Sequence, residues 1–188
     1  MSDIVTIAGS PSRNSRSSAV LGYAREFFRR YGLQSEAIEI RDFNPEDLLY
    51  AQTNNLGIQA GLLKVDRAKV VIIATPVYKA AYTGALKTFL DLLPQQALRD
   101  KTVLPIATGG TLAHLLSIDY ALKPVLSALG AQHILSGLYV VDAQCRFVDG
   151  GSFQLDVEVE NRLQSAFQTI VDHLIKTDFI PSAVGGDF

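Results

Sequence analysis

The residues best suited to chemistry form one run, Gly9-Ser10-Pro11-Ser12-Arg13-Asn14-Ser15-Arg16-Ser17-Ser18. It follows a short apolar segment and opens a stretch of helical spacing. Five serine hydroxyls and two guanidinium groups are donors suited to an anionic oxygen. The free amides and dipole of a helix start add to that attraction. A single serine would be explained as an N-cap. Five serines with two arginines favour a phosphate group. The run is not a Walker loop, because Gly-x-x-x-x-Gly-Lys-Ser/Thr is absent, and it lacks the dinucleotide fingerprint Gly-x-Gly-x-x-Gly.

Two further runs carry weaker signals. Thr75-Pro76-Val77-Tyr78-Lys79-Ala80-Ala81-Tyr82-Thr83-Gly84-Ala85-Leu86-Lys87 follows the most apolar segment of the chain. Pro76 constrains the exit from that segment, and Tyr78 offers a face or a hydroxyl to a flat ring. On spacing alone the run reads slightly better as an ordinary turn with surface tyrosines. In Thr108-Gly109-Gly110-Thr111, paired glycines allow close backbone approach. Alone it is a plain turn.

The elements that must position these runs follow from apolar periodicity. Ile4 to Ala8, Ala37 to Ile40, Val70 to Thr75, Thr102 to Thr108 and His133 to Val141 read as five strands, short and β-branched as in a sheet covered on both faces. Pro105 is a mild objection to the fourth, since proline cannot donate to a ladder. Ser15 to Tyr31, Ile58 to Arg67, Gly84 to Leu93, Thr111 to Leu129 and Val157 to Lys176 read as helices. Val159, Leu163, Phe167, Ile170, Val171 and Leu174 form the apolar stripe of the last. Pro45 to Ala51 reads as a loop, Ala143 to Gln154 as a solvent-facing excursion, and the tail from about residue 178 as loose. Strands alternating with helices imply a parallel sheet with right-handed crossovers. In such a sheet ligands bind beyond the carboxyl ends of the strands. All three runs fall there.

Composition bounds the function. The chain has 188 residues, 48% hydrophobic and 19% charged, which fits one globular domain spanning 1–188. A net charge of −2 with no basic stripe speaks against nucleic acid. Cys145 is the single cysteine, so no internal disulfide can form. His114, His133 and His173 are scattered, and no metal or Ser-His-Asp arrangement is visible. The longest uncharged stretch, Thr102 to Ile118, is shorter than a membrane span and is broken by Pro105 and the paired glycines. No leader segment is visible, so a cytoplasmic location is expected.

Together the runs resemble the NAD(P)H-dependent FMN reductases of the flavodoxin-like superfamily, particularly the flavin reductases of two-component alkanesulfonate monooxygenase systems. The resemblance rests on Gly9-Ser10-Pro11 with Ser15-Arg16-Ser17-Ser18, on Ala74 to Tyr82, on Gly84-Ala85-Leu86-Lys87, and on Ala107 to Thr111. Asp119-Tyr120-Ala121-Leu122-Lys123-Pro124 narrows it to that subgroup. It extends to about Val141. It implies a flavodoxin-like three-layer sandwich with a five-stranded parallel sheet in the order 2-1-3-4-5. It implies that Ser10, Arg16 and Ser18, with neighbouring Ser17, hold the FMN phosphate; Arg13 is an alternative to Arg16. Pro76, Val77, Tyr78 and Lys79 would flank the flavin ring, and Thr108, Gly109, Gly110 and Thr111 its other edge. NADPH or NADH would deliver hydride to flavin N5, with no catalytic side chain required. Reduced FMN would pass to an FMNH2-dependent monooxygenase in sulfonate sulfur assimilation. The alternatives are an FMN-retaining quinone or azo reductase and a flavodoxin-like electron carrier.

Pro124 creates a conflict inside the expected helix from Thr111. It has no N–H for the Tyr120 carbonyl, so the helix must kink or widen there. A π-bulge and a plain proline kink both satisfy that requirement. The resemblance favours the bulge, since relatives carry a tyrosine-associated π-helix at a subunit interface. It also implies a homo-oligomer, tetramer or dimer.

Overall fold

The computed structural model describes residues 2–148 and 153–178. The expected loose tail lies outside the described residues, apart from Asp178 at the end of the last helix, and so does the middle of the expected excursion. β1 (Ile4–Ala8) is an interior strand of the sheet. It pairs in parallel with β2 (Ser35–Glu39) on one side and β3 (Val70–Pro76) on the other. β3 pairs with β4 (Thr102–Gly109), giving the order β2-β1-β3-β4 and then a fifth position. That is the flavodoxin-like order expected from the resemblance.

The fifth position is occupied by two short strands rather than one. β5 (His133–Ile134) pairs with the start of β4, and β6 (Leu138–Val141) pairs with its end. Pro105 explains the interruption. Leu135 N–H donates to the Val103 carbonyl (2.8 Å), so the polar groups of Val103 face the fifth position. Two residues on, Pro105 faces the same way and has no N–H to donate. The ladder therefore lapses opposite it. Gly137 lies in the gap, where a Cβ would fall 2.4 Å from Ile118 Cγ2.

Alternation along the strands supplies two cores. Val5, Ile7, Val71, Ile73 and Val103 face α3 (Leu56–Arg67), α4 (Gly84–Leu90) and α5 (Lys123–Ala128). Ile4, Ala8, Val70, Ile72, Leu104 and Ile106 face α1 (Arg16–Arg30) and α6 (Val157–Asp178). The result is three layers. Three helix starts are capped by the residue types favoured there: Ser15 for α1, Asn55 for α3 and Thr83 for α4.

Three further expected elements differ. Pro45 to Ala51 contains a short helix, α2 (Pro45–Leu49), because Asn44 accepts from Glu46 N–H and Pro45 occupies the first turn. Five residues are too few to show periodicity. The excursion contains a strand pair, β7 (Cys145–Phe147) with antiparallel β8 (Phe153–Leu155). The expected helix from Thr111 to Leu129 is divided. A 3-10 turn spans Leu112–His114, a π-helix spans Ile118–Leu122, and α5 follows. In the π segment, Lys123 N–H donates to the Ile118 carbonyl five residues back. The wide turn ends just before Pro124, which then sits in the first turn of α5 where no donor is required. Of the two solutions open to the sequence, the backbone adopts the bulge.

α6 is held to α1 by an aromatic cluster. The Phe167 ring lies 5.5 Å from that of Phe27 and 5.4 Å from that of Phe28, centroid to centroid. Phe167 is fully buried. Phe167→Ala should cost about 3–5 kcal/mol, read as a lowered urea midpoint. A shift corresponding to less than about 1 kcal/mol would mean that the cluster does not anchor α6.

Candidate active site

The order change between β2-β1 and β1-β3 opens a crevice at the carboxyl edge of the sheet. A cavity of about 230 Å³ lies there. It is lined by the loop after β1 (Ser10, Ser12, Asn14, Ser15, Arg16), by Pro76, Val77 and Tyr78 after β3, and by Thr108, Gly109 and Gly110 at the end of β4. Asp142 closes the remaining side.

The roots of the loops are bonded to one another. Gly9 N–H donates to the Ala74 carbonyl (2.8 Å), and Val77 N–H to the Thr108 carbonyl (2.8 Å). Buried Thr83 donates its hydroxyl proton to the Gly9 carbonyl and accepts from Leu86 N–H (3.0 Å). Its own N–H donates to Thr75 Oγ1 (3.2 Å). One threonine thus connects the ends of β1 and β3 to the start of α4.

The first loop is shaped by local hydroxyl bonds. Ser10 Oγ accepts from Ser12 N–H (3.2 Å). Ser15 Oγ accepts from Ser18 N–H (3.4 Å) and shares a proton with buried Ser17 Oγ (2.8 Å). Arg41 Nη1 donates to the Ser12 and Arg13 carbonyls (3.0 and 2.7 Å), which clamps the loop from the end of β2. Arg16 crosses the cavity mouth. Its Nε donates to the Cys145 carbonyl (3.2 Å), and its Nη1 lies 3.4 Å from Asp142 Oδ2.

The second loop turns tightly. Tyr78 and Ala81 exchange backbone hydrogen bonds, and Lys79 and Ala80 take φ of 51° and 66°. Neither is glycine, so the turn carries strain of about 1 kcal/mol or more per residue. Strain of that kind is concentrated at functional sites.

In the third loop Gly109 permits a close approach. Tyr139 Oη donates to the Thr111 carbonyl (2.8 Å), and a Cβ on Gly109 would lie 2.2 Å from that oxygen. Burial raises the pKa of the Tyr139 hydroxyl, with a further push from Asp142, so it remains a donor at neutral pH. Burial also pushes the Cys145 thiol up to about 11. Although it lies close to the site, Cys145 is a packed, protonated thiol there.

The structure thus gathers Ser10, Arg16, Pro76, Val77, Tyr78, Thr108, Gly109 and Gly110 around one cavity. Four other candidates lie beside it. The Ser17 hydroxyl is turned to Ser15, and the Ser18 hydroxyl donates to Glu39 (3.4 Å). Lys79 occupies the exposed tip of the strained turn, and Thr111 caps the 3-10 turn. Of the two arginines, Arg16 lines the cavity. Tyr120 and Pro124 belong to the π-helix region. Ser12, Asn14 and Ser15 could have been chosen from the same serine-rich run. Asp142, Tyr139, Thr83 and Arg41 carried no signal, because each meets the site only through tertiary contact.

A family model for NADPH-dependent FMN reductases matches residues 2–145. The chain belongs to that family. This makes it a flavin reductase, with FMN and a reduced nicotinamide nucleotide as its reactants. It is 47% identical over 175 residues to an FMN reductase (NADPH) of Escherichia coli (strain K12), covering 93% of this chain and 91% of that protein. It is 47% identical over 167 residues to an FMN reductase (NADPH) of Pseudomonas putida (strain KT2440), covering 88% and 85%. Among solved structures, the apo form of an NADH:FMN oxidoreductase (EMOB) superposes with a TM-score of 0.81. It is 38% identical and is covered to 88%, against 90% of this chain.

The third loop of this reductase provides a compensation test. Gly109→Ala should displace the Tyr139 hydroxyl, lower the melting temperature and weaken FMN binding. Tyr139→Phe removes the atom at 2.2 Å, leaving the ring carbon at 3.2 Å. Added to Gly109→Ala, it should recover part of both losses. A double variant no better than Gly109→Ala would show that the close approach is not the constraint.

Proposed function

We propose that this reductase is NADPH-preferring and takes FMN as an exchangeable reactant, releasing reduced FMN to an FMNH2-dependent monooxygenase. Sulfonate sulfur assimilation in the cytoplasm is the proposed setting. The carrying observation is the two-ended cavity. One end has hydroxyls, a guanidinium and a helix start; the other has Pro76, Val77, Tyr78, Thr108 and the paired glycines. The donor set suits a phosphate, and the glycine-lined end suits a flat ring, so the residues fit FMN. NADPH preference is supported by the two relatives at 47% identity, both named FMN reductase (NADPH). The sulfonate setting is supported by the Asp119–Pro124 stretch.

In this reading Ser10 and Arg16 bind the phosphate. Ser17 and Ser18 contribute the backbone of the first turn of α1, since their hydroxyls are already engaged. Pro76, Val77 and Tyr78 lie against the ring, with Lys79 at the outer lip and Thr108 to Thr111 along the opposite edge. Bound FMN supplies the hydride-accepting chemistry. The protein orients two flat reactants at a site open enough for both to leave.

Steady-state oxidation of NADPH and NADH with added FMN tests the activity, and transfer to a monooxygenase tests the setting. Failure of FMN to support NADPH turnover would sink the reading. Arg16→Ala removes a charged hydrogen bond worth about 1.5–3 kcal/mol. FMN affinity should therefore fall roughly ten- to a hundredfold, with riboflavin much less affected. An equal loss for both flavins would place Arg16 away from the phosphate.

The π-helix region is the proposed homo-oligomer contact. Leu112, Leu115, Leu116 and Tyr120 are all exposed, Tyr120 by 79%. Its neighbour Ile118 packs on Ala107 and Tyr139, beneath Val77, so the segment is continuous with the site. An exposed aromatic among leucines is a ready interface anchor. Tyr120→Ala should reduce the assembled mass in light scattering and alter flavin release. Deleting Tyr120 should restore α register and leave more FMN bound after desalting. Wild-type mass and flavin content in both variants would assign Tyr120 no such role.

A further inference from the structure

We propose that Asp142 competes with the flavin phosphate for Arg16, and that this competition keeps FMN exchangeable. The inference rests on the reading of the first loop as the phosphate site.

Arg16 lies in the first turn of α1, and Asp142 follows β6, 126 residues later. They meet across the cavity at 3.4 Å. Among the described residues lining that cavity, Asp142 is the one carboxylate; the other polar side chains are hydroxyls, an amide and Arg16 itself. A carboxylate facing an anion site opposes anion binding, so its presence there requires a reason.

Orienting Arg16 is one candidate reason, and it is weak. The Arg16 side chain is already directed by its Nε bond to the Cys145 carbonyl. The Asp142 contact is single, and its two side chains are 42% and 38% exposed. Ion pairs of that kind contribute little. Against this stands a phosphate bearing nearly two negative charges. It would face Asp142 across a small cavity and need the same guanidinium. Repulsion therefore outweighs orientation.

The backbone that carries Asp142 is fixed at the cavity wall. Asp142 begins a short turn, Asp142–Gln144, whose Gln144 Oε1 accepts from Val141 N–H (3.1 Å). The Gln144 carbonyl accepts from Asp156 N–H (2.9 Å). The carboxylate is thus carried on a braced turn at the cavity wall. It pairs with Arg16, the guanidinium that the phosphate would also need. When FMN binds, Arg16 turns to the phosphate and Asp142 is left beside a like charge, which favours release.

The test is Asp142→Asn, which keeps the shape and removes the charge. Dissociation constants for FMN and riboflavin are measured by flavin fluorescence at low and high salt, with FMN release followed by stopped flow. FMN should bind roughly three- to tenfold more tightly, chiefly through slower release. Riboflavin should stay within about twofold, and the gain should shrink at high salt. In an Arg16→Ala background the same substitution should gain less, since the contested group is absent. Unchanged or weaker FMN binding by Asp142→Asn, or an equal change for riboflavin, overturns the proposal while leaving the phosphate site standing. If wild type itself binds FMN no better than riboflavin, the phosphate-site reading fails and the competition fails with it.

Discussion

The buried hydroxyl of Thr83 is the constraint on which the site depends. It joins the Gly9 carbonyl to the start of α4, while its amide bonds Thr75 Oγ1. The ends of β1 and β3 are neighbours in any sheet of this order, but neighbouring strands do not by themselves set where their loops go. Thr83 sets it from inside, where unpaired polar groups are costly. With Gly9 N–H on Ala74 and Val77 N–H on Thr108, the loop roots form one bonded layer. The cavity lies above that layer.

The upper part of the site is held by charge and strain rather than by burial. Arg41 draws the Ser12 and Arg13 carbonyls towards β2, and also lies 3.7 Å from Glu39. Arg16 spans the cavity mouth to the turn after β6. The turn at Lys79 and Ala80 keeps a left-handed backbone that most side chains avoid. The Arg16–Asp142 contact is a modest, partly exposed ion pair that can be exchanged for a ligand contact at small cost. A rigid base with a labile rim suits the proposed exchange of flavin.

Two proline positions show how a single missing donor reshapes a fold. Pro105 interrupts the fifth strand because its nitrogen faces that side of β4. The gap admits Ile118 beside Gly137. Pro124 ends the π-helix that carries Ile118 and exposes Tyr120. Both defects therefore meet at the same corner, next to Tyr139 and the Gly109 approach. The irregular backbone lies beside the cavity, and the regular sheet lies below it.

The strands, the helix stripes and the serine-rich loop were legible in the sequence because they depend on local spacing; the strand order, and the reading of the second and third runs as more than turns, came from the resemblance. The continuous β-branched runs Ile4 to Ala8 and Val70 to Thr75, the stripe from Val159 to Leu174, and the serine-rich run after β1 each carry their signal within a few residues. The conflict at Pro124 was legible too, although not which of two backbone solutions would relieve it. What the tertiary structure alone decided are the contacts between distant segments: Thr83 with Gly9, Arg41 with the first loop, Tyr139 over Gly109, and Asp142 against Arg16. It also decided which serines face the cavity and which turn to other partners. Residue type determines what a side chain can donate or accept, and local spacing determines the element it rides on. The group it actually meets depends on where the sheet brings a segment from elsewhere in the chain.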